Sequence, residues 1–110
     1  MIEVHCCKRT GGEIVEFWVE GHAGYADPGE DIVCAGVSAL AETALIGLKK
    51  VARAAMESRR AEGLVWVRLA EPPRSAESWS RAQAILQTTL LGLKDIQKDY
   101  PAYIRVTEGD

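Results

Sequence analysis

Two periodicities alternate along this chain. Residues 2–9 are rich in β-formers, Thr10-Gly11-Gly12 follows, and Glu13 to Glu20 alternates polar and apolar side chains. The pattern predicts a β-hairpin, because Gly-Gly supplies the positive φ angles of a tight turn. In its second strand Ile14, Glu16, Trp18 and Glu20 face one way, and Val15, Phe17 and Val19 face the other. Gly21 to Glu30 has no period, three glycines and a proline, and predicts a loop. From about Ile32 to Arg60 the period turns helical: Val37, Leu40, Ala41, Ala44, Leu45, Leu48, Val51, Ala52 and Ala55 recur at steps of three and four. Gly63 ends that run.

Leu64 to Leu69 alternates again and predicts a third strand, which Glu71-Pro72-Pro73 breaks. Ser75 or Ser78 caps a second helix that runs to about Lys98, with Trp79, Ala82, Ile85, Leu86, Leu90, Leu93 and Ile96 as its apolar stripe. Tyr100-Pro101 closes it, and Tyr103 to Thr107 is a short last strand. The predicted order is β-β-α-β-α-β, an α+β fold of one sheet with two helices packed on it. Ala44–Lys49 and Thr89–Lys94 echo each other, which reads as two helices meeting one packing demand, with Gly47 and Gly92 permitting close approach.

Length sets this as one domain spanning residues 1–110, and 26% charged against 47% hydrophobic residues suits a packed core. The formal net charge of −3 argues against nucleic acid as the main partner. Three cysteines, two of them adjacent, make a poor disulfide framework and point to a reducing, cytoplasmic setting. Met1-Ile2-Glu3-Val4 has no basic n-region, so no signal peptide is expected. No stretch reads as the ~20 apolar residues of a membrane span, and no membrane partner is expected.

The stretch Gly21–Leu40 departs most from what folding alone requires. If Asp31 is the N-cap, Cys34 lies in the first helical turn, where unpaired N–H groups and the helix dipole favour anionic sulfur. The same N–H groups suit an oxyanion, so one helix end offers both parts of acyl-transfer machinery. His22 ends the hairpin, and the loop can fold back to bring its imidazole beside Cys34 as a base. Asp31 either caps the helix or orients His22. Ser38, one turn after Cys34, either lines the cleft or bonds back to its own helix. Set against this, the commoner reading of such a cysteine from the residues alone is a buried, inert small side chain. His22, Asp31 and Cys34 have metal-ligand chemistry but no fourth ligand, so no metal is expected. Cys6, Cys7 and His5 read as structural.

The residues Gly21-His22-Ala23-Gly24-Tyr25, Gly29-Glu30-Asp31-Ile32-Val33-Cys34-Ala35 and Val37-Ser38-Ala39-Leu40, with Tyr100-Pro101 before a final strand, resemble the signature of the Prp family, the ribosomal-processing cysteine proteases of bacteria. The resemblance covers nearly the whole chain. It implies an endopeptidase that removes a short N-terminal extension from a large-subunit ribosomal protein, the twenty-seventh in the standard naming. It also implies Cys34 as nucleophile, His22 as its partner and Gly21 as the hinge of a mobile loop. A substrate aromatic just before the cut, a homodimer and no cofactor follow from the same resemblance. The alternative is a non-catalytic ribosome-associated factor that binds a ribosomal protein or RNA through Lys49, Lys50, Arg53, Arg59 and Arg60. A thiol redox role has little support, because no resolving cysteine lies near Cys34 in sequence.

Overall fold

The computed structural model describes residues 1–109. Its elements are β1 (Ile2–Lys8), β2 (Ile14–Glu20), α1 (Ile32–Lys50), β3 (Met56–Ala61), β4 (Leu64–Leu69), α2 (Ala76–Asp99) and β5 (Ile104–Gly109). The five strands form one sheet in the order β3-β4-β2-β1-β5. Only β5 runs parallel to its neighbour, β1. The two helices cover one face of this sheet, as alternation in the strands and a helical stripe in α1 and α2 demand. The core joins Val4, Phe17, Val19, Val67 and Ile104 of the sheet to Val37, Leu45 and Leu48 of α1 and Leu86 and Leu93 of α2. Burying a side chain such as Leu48 stabilises the fold by about 2 kcal/mol.

The predicted α+β architecture holds, with one strand more than the sequence suggests. Met56–Ala61 is not the tail of a helix; it is the edge strand β3, paired antiparallel with β4 from Met56↔Leu69 to Ala61↔Leu64. Ala, Met, Glu and Arg all favour helix locally, but pairing with β4 overrides that preference. The helix stops because Val51 and Ala52 both donate to the Gly47 carbonyl and Arg53 turns left-handed, at φ 50. Charged side chains on β3 suit an exposed edge. Gly63 is therefore not a helix stop but the second residue of a two-residue hairpin turn, at φ +70.

The first hairpin forms as expected, with Gly11 at φ +100 and Gly12 at φ +87. A register shift between Cys7 and Lys8 then changes the facing of one residue: Cys7 opposes Glu16, but Lys8 opposes Ile14. Ile14 consequently enters the core instead of sharing the open face with Glu16. The backbone there is claimed by Gln83 of α2, which accepts from Ile14 N at 2.8 Å and donates to Ile14 O at 2.7 Å. The irregularity is paired rather than left unsatisfied.

Gly47 and Gly92 do allow the helices to approach. A Cβ at Gly47 would lie 3.2 Å from Ile85 Cδ1, and one at Gly92 3.2 Å from Leu40 Cδ1. Contrary to the sequence reading, α1 is long and apolar enough to cross a membrane by length and composition. In this fold it is a core helix, with Val33, Val37, Ala41, Ala44, Leu45 and Leu48 buried against the rest of the protein.

Candidate active site

The loop from Gly21 to Asp31 leaves the end of β2 and enters α1, so one strand end and one helix start are joined by a short chain. Asp31 is the N-cap. Its Oδ1 accepts from Val33 N at 3.0 Å and Cys34 N at 2.9 Å. Its Oδ2 reaches back into the loop and accepts from Tyr25 N at 2.9 Å and Ala26 N at 3.3 Å. One carboxylate thus starts the helix and shapes the loop. Although desolvation opposes it, the four backbone donors hold the Asp31 carboxyl below the usual carboxylate range. Among the described residues Asp31 has no bond to His22, so capping is the role the geometry gives it.

Cys34 sits in the first turn, half-buried. The first-turn N–H groups of Val33 and Cys34 are spent on Asp31, and Ala35 N donates to the Asp31 carbonyl at 3.0 Å. The donor aimed at the sulfur comes from the loop instead: Ala23 N lies 3.1 Å from Cys34 Sγ. That bond ties the residue after His22 to the sulfur, and so fixes how closely the loop approaches the helix end.

His22 is held from the other side. The register Glu20↔Leu64 between β2 and β4 brings the Glu62–Gly63 turn beside the start of the loop. Gly21 N donates to Gly63 O at 2.9 Å. The imidazole then lies on Gly63, where an added Cβ would be 3.0 Å from Nε2 and 3.3 Å from Cε1. Gly21 has its own requirement: φ is +95, and a Cβ there would meet the Met1 carbonyl oxygen at 2.7 Å. Only glycine fits, whatever the loop's mobility.

These residues share one cleft with two lobes. The lobe of 210 Å³ is lined by Gly21, His22, Cys34, Ser38, Glu62 and Gly63 among others. The lobe of 560 Å³ is lined by His22, Gly24, Asp31, Cys34, Ser38 and Glu62 among others. Ser38 is exposed and faces both lobes rather than being buried against its own helix. All five site residues expected from the sequence therefore gather here. Sequence reasoning missed Ala23, Glu62 and Gly63. It also missed the clasp on the loop, where Tyr25 packs edge-on against Tyr100 at 5.6 Å and Tyr103 at 5.1 Å between ring centroids. The only local signal for that hairpin was Gly63 just before the alternating run Leu64–Leu69, because Met56–Ala61 does not alternate.

Two expectations can be checked chemically. Cys6 is fully buried on β1, and burial first, then the nearby Glu108 charge, pushes its thiol up to about 12. Iodoacetamide at neutral pH should therefore label Cys34 in the native protein and leave Cys6 unmodified until unfolding, as read by peptide mapping. Gly63→Ala should push the imidazole off its seat. Any activity that uses His22 should fall by about tenfold or more, while Gly12→Ala, at another positive φ but with open space around it, should cost stability alone. Equal activity losses in the two variants would remove Gly63 from the account.

The basic residues do not make one surface. Lys49 and Lys50 end α1, whereas Arg59 and Arg60 lie on β3 and point to opposite faces of the sheet. Arg60 pairs with Glu42, with Nε to Oε2 at 2.7 Å. Arg59 lines a groove on the open sheet face with Trp18 and Trp66. The helical basic patch that would support an RNA-binding factor is absent among the described residues.

Comparisons with known proteins identify the family of this chain. The family profile described as Cysteine protease Prp matches residues 1–105. The chain is 32% identical over 109 residues to the ribosomal processing cysteine protease Prp of Staphylococcus aureus, covering 96% of this chain and 97% of the relative. It is 29% identical over 109 residues to the Bacillus subtilis protein of the same name, covering 97% and 96% respectively. A crystal structure of the S. aureus protease in complex with a covalently linked product peptide superposes with a TM-score of 0.86 at 28% identity, over 98% of this chain and 99% of the other. A complex of that protease with a substrate peptide gives 0.81 at 26% identity, with the same coverage. The chain belongs to the Prp family of ribosomal-processing cysteine proteases.

Proposed function

We propose that this protease removes a short N-terminal extension from a bacterial large-subunit ribosomal protein, the twenty-seventh, with Cys34 as nucleophile and His22 as general base and acid. The observation that carries the reading is the cleft that Cys34 and His22 line together, at the one helix start where a backbone N–H also faces the sulfur. His22 takes the Cys34 proton, and the thiolate attacks the scissile carbonyl carbon. The resulting oxyanion forms beside the sulfur, where Ala23 N–H is the nearest donor. Collapse breaks the C–N bond, His22 protonates the leaving amine, and a thioester remains on Cys34. Water, deprotonated by His22, then hydrolyses the thioester and restores the thiol.

Asp31 acts through position in this reading: it shapes the loop that carries His22 and Ala23. Gly21 is the hinge of that loop, and Ser38 lines the wall on which substrate lies. The Asp31 and Tyr25 contacts are the ones that loop movement would have to break. The reading also implies a cytoplasmic enzyme that works as a homodimer. Ile46, Val51 and Leu91, each more than half exposed on the helical layer, are the apolar surface a second copy would cover. Analytical ultracentrifugation should give twice the chain mass. The substrate test is direct. Incubating the protein with that ribosomal protein carrying its extension should release one N-terminal peptide, read by mass spectrometry; an intact substrate would reject the assignment.

A further inference from the structure

The charge lining the cleft is one-sided in a way the catalytic pair does not explain. Three carboxylates, Asp31, Glu42 and Glu62, line its two lobes, and no Lys or Arg does. Two of the three are already engaged. Asp31 receives four backbone N–H bonds. Glu42 receives Arg60, with Nε to Oε1 at 2.8 Å. Among the described residues Glu62 has neither an ion-pair nor a hydrogen-bond partner for its side chain. It is also the only one of the three besides Asp31 that faces the lobe bordered by the loop.

The position of Glu62 is fixed by backbone rather than by chance. It is the first residue of the two-residue turn between β3 and β4, whose strands stay paired up to Ala61↔Leu64. The next residue, Gly63, is bonded to Gly21 and carries the His22 ring. A carboxylate is therefore mounted on the platform that seats the imidazole, beside the place where a peptide must pass to reach Cys34. Its lack of a bond to His22 leaves it open to substrate.

We propose that Glu62 is a specificity residue that takes a Lys or Arg side chain of the substrate on the far side of the scissile bond from the aromatic residue. The inference rests on reading the cleft as the peptidase site. It names the chemistry that would be selected: a cationic peptide, the kind of terminal segment that an RNA-binding ribosomal protein carries because it neutralises phosphates. A neutral or acidic segment would leave Glu62 unpaired or repelled, and the same carboxylate would then work against binding.

The first test needs no assumption about the natural substrate. Cys34 is modified with methanethiosulfonate reagents that carry either a trimethylammonium or a sulfonate group, and rates are read by intact mass and peptide mapping. The cationic reagent should react faster, and Glu62→Gln should lower the ratio of the two rates by about threefold to tenfold. Glu62→Lys should lower it further, at unchanged melting temperature. Asp31 and Glu42 remain in both variants, so a residual preference is expected. A ratio unchanged by Glu62→Gln would overturn the role of Glu62. Failure of Cys34 to react at all would instead overturn the nucleophile reading, and this proposal with it.

The second test uses two cleavable peptides that share the aromatic residue before the cut and differ by Lys→Gln after it. The wild type should favour the Lys peptide through KM, and Glu62→Gln should erase that preference with kcat on the Gln peptide retained. A kcat loss of equal size on both peptides, with a shifted pH profile, would make Glu62 a positioning residue for His22 and reject the specificity role.

Discussion

Cys34→Ala should fold as the wild type does and cleave nothing. Removing the nucleophile of such a pair lowers kcat by about 10⁴-fold or more, because no other group can form the thioester. The fold should survive because Cys34 is only half-buried and alanine keeps the helical backbone and its N-cap. His22→Ala should be nearly as severe, since in the proposed mechanism the same imidazole removes the thiol proton and protonates the leaving amine. The two losses should not add: the double variant should match Cys34→Ala, as for residues that act as one unit. Circular dichroism and melting curves separate lost chemistry from lost structure. Appreciable cleavage by well-folded Cys34→Ala would remove it from the mechanism, whatever the reactivity of its sulfur.

Asp31→Ala should be the variant that damages structure and chemistry together. It deletes the helix cap and releases Tyr25 N and Ala26 N from the loop. We expect a fall in melting temperature of about 5 °C and a loss of activity of about tenfold or more, because Ala23 and His22 move with the loop. Asp31→Asn should keep part of the capping and less of the loop contact. The pH dependence has a definite sign. The folded-state carboxyl of Asp31 titrates below its ordinary value of 3.8, despite desolvation, because four backbone donors favour the anion. Its contribution is present above that value and fades as pH falls through the lower, folded-state one. Glu13 and Glu108, also held low, add to the same acid-side loss. Asp31→Asn should therefore flatten the stability profile below about pH 4 in part, not wholly. An unchanged acid limb in melting curves would contradict the capping geometry.

The chemistry of the site was more legible in the sequence than its architecture. Asp31 three residues before Cys34 is a local signal, and the cap it predicts is the one that forms. His22 and Cys34 share a stretch short enough that a loop of ten residues can fold back and bring them near each other. The seat of His22 was not legible, because it comes from the neighbouring β3–β4 hairpin, far along the chain. It depends on β3, and the sequence from Ala52 to Arg60 reads as helix by local preference. Arg53 has no side-chain reason to turn left-handed; the pairing of Met56–Ala61 with β4 imposes it. Ile14 teaches the same lesson on a smaller scale. Strict alternation puts it on the open face, and a register shift supported by Gln83 turns it into the core. First-turn amides were expected to hold the oxyanion, but Asp31 takes two of them, so the donor at the sulfur is Ala23. A sequence shows which groups could bond; it does not show which partner claims them first.

The central claim is that Cys34 is the group that attacks the peptide. It is tested most directly by mixing the protein with a peptide chloromethyl ketone built on the N-terminal extension of the ribosomal substrate, followed by intact and fragment mass spectrometry. The account predicts one adduct per chain, on Cys34, formed slowly or not at all in His22→Ala. An adduct on Cys6 or Cys7 in the folded protein, or no adduct on Cys34, would contradict it.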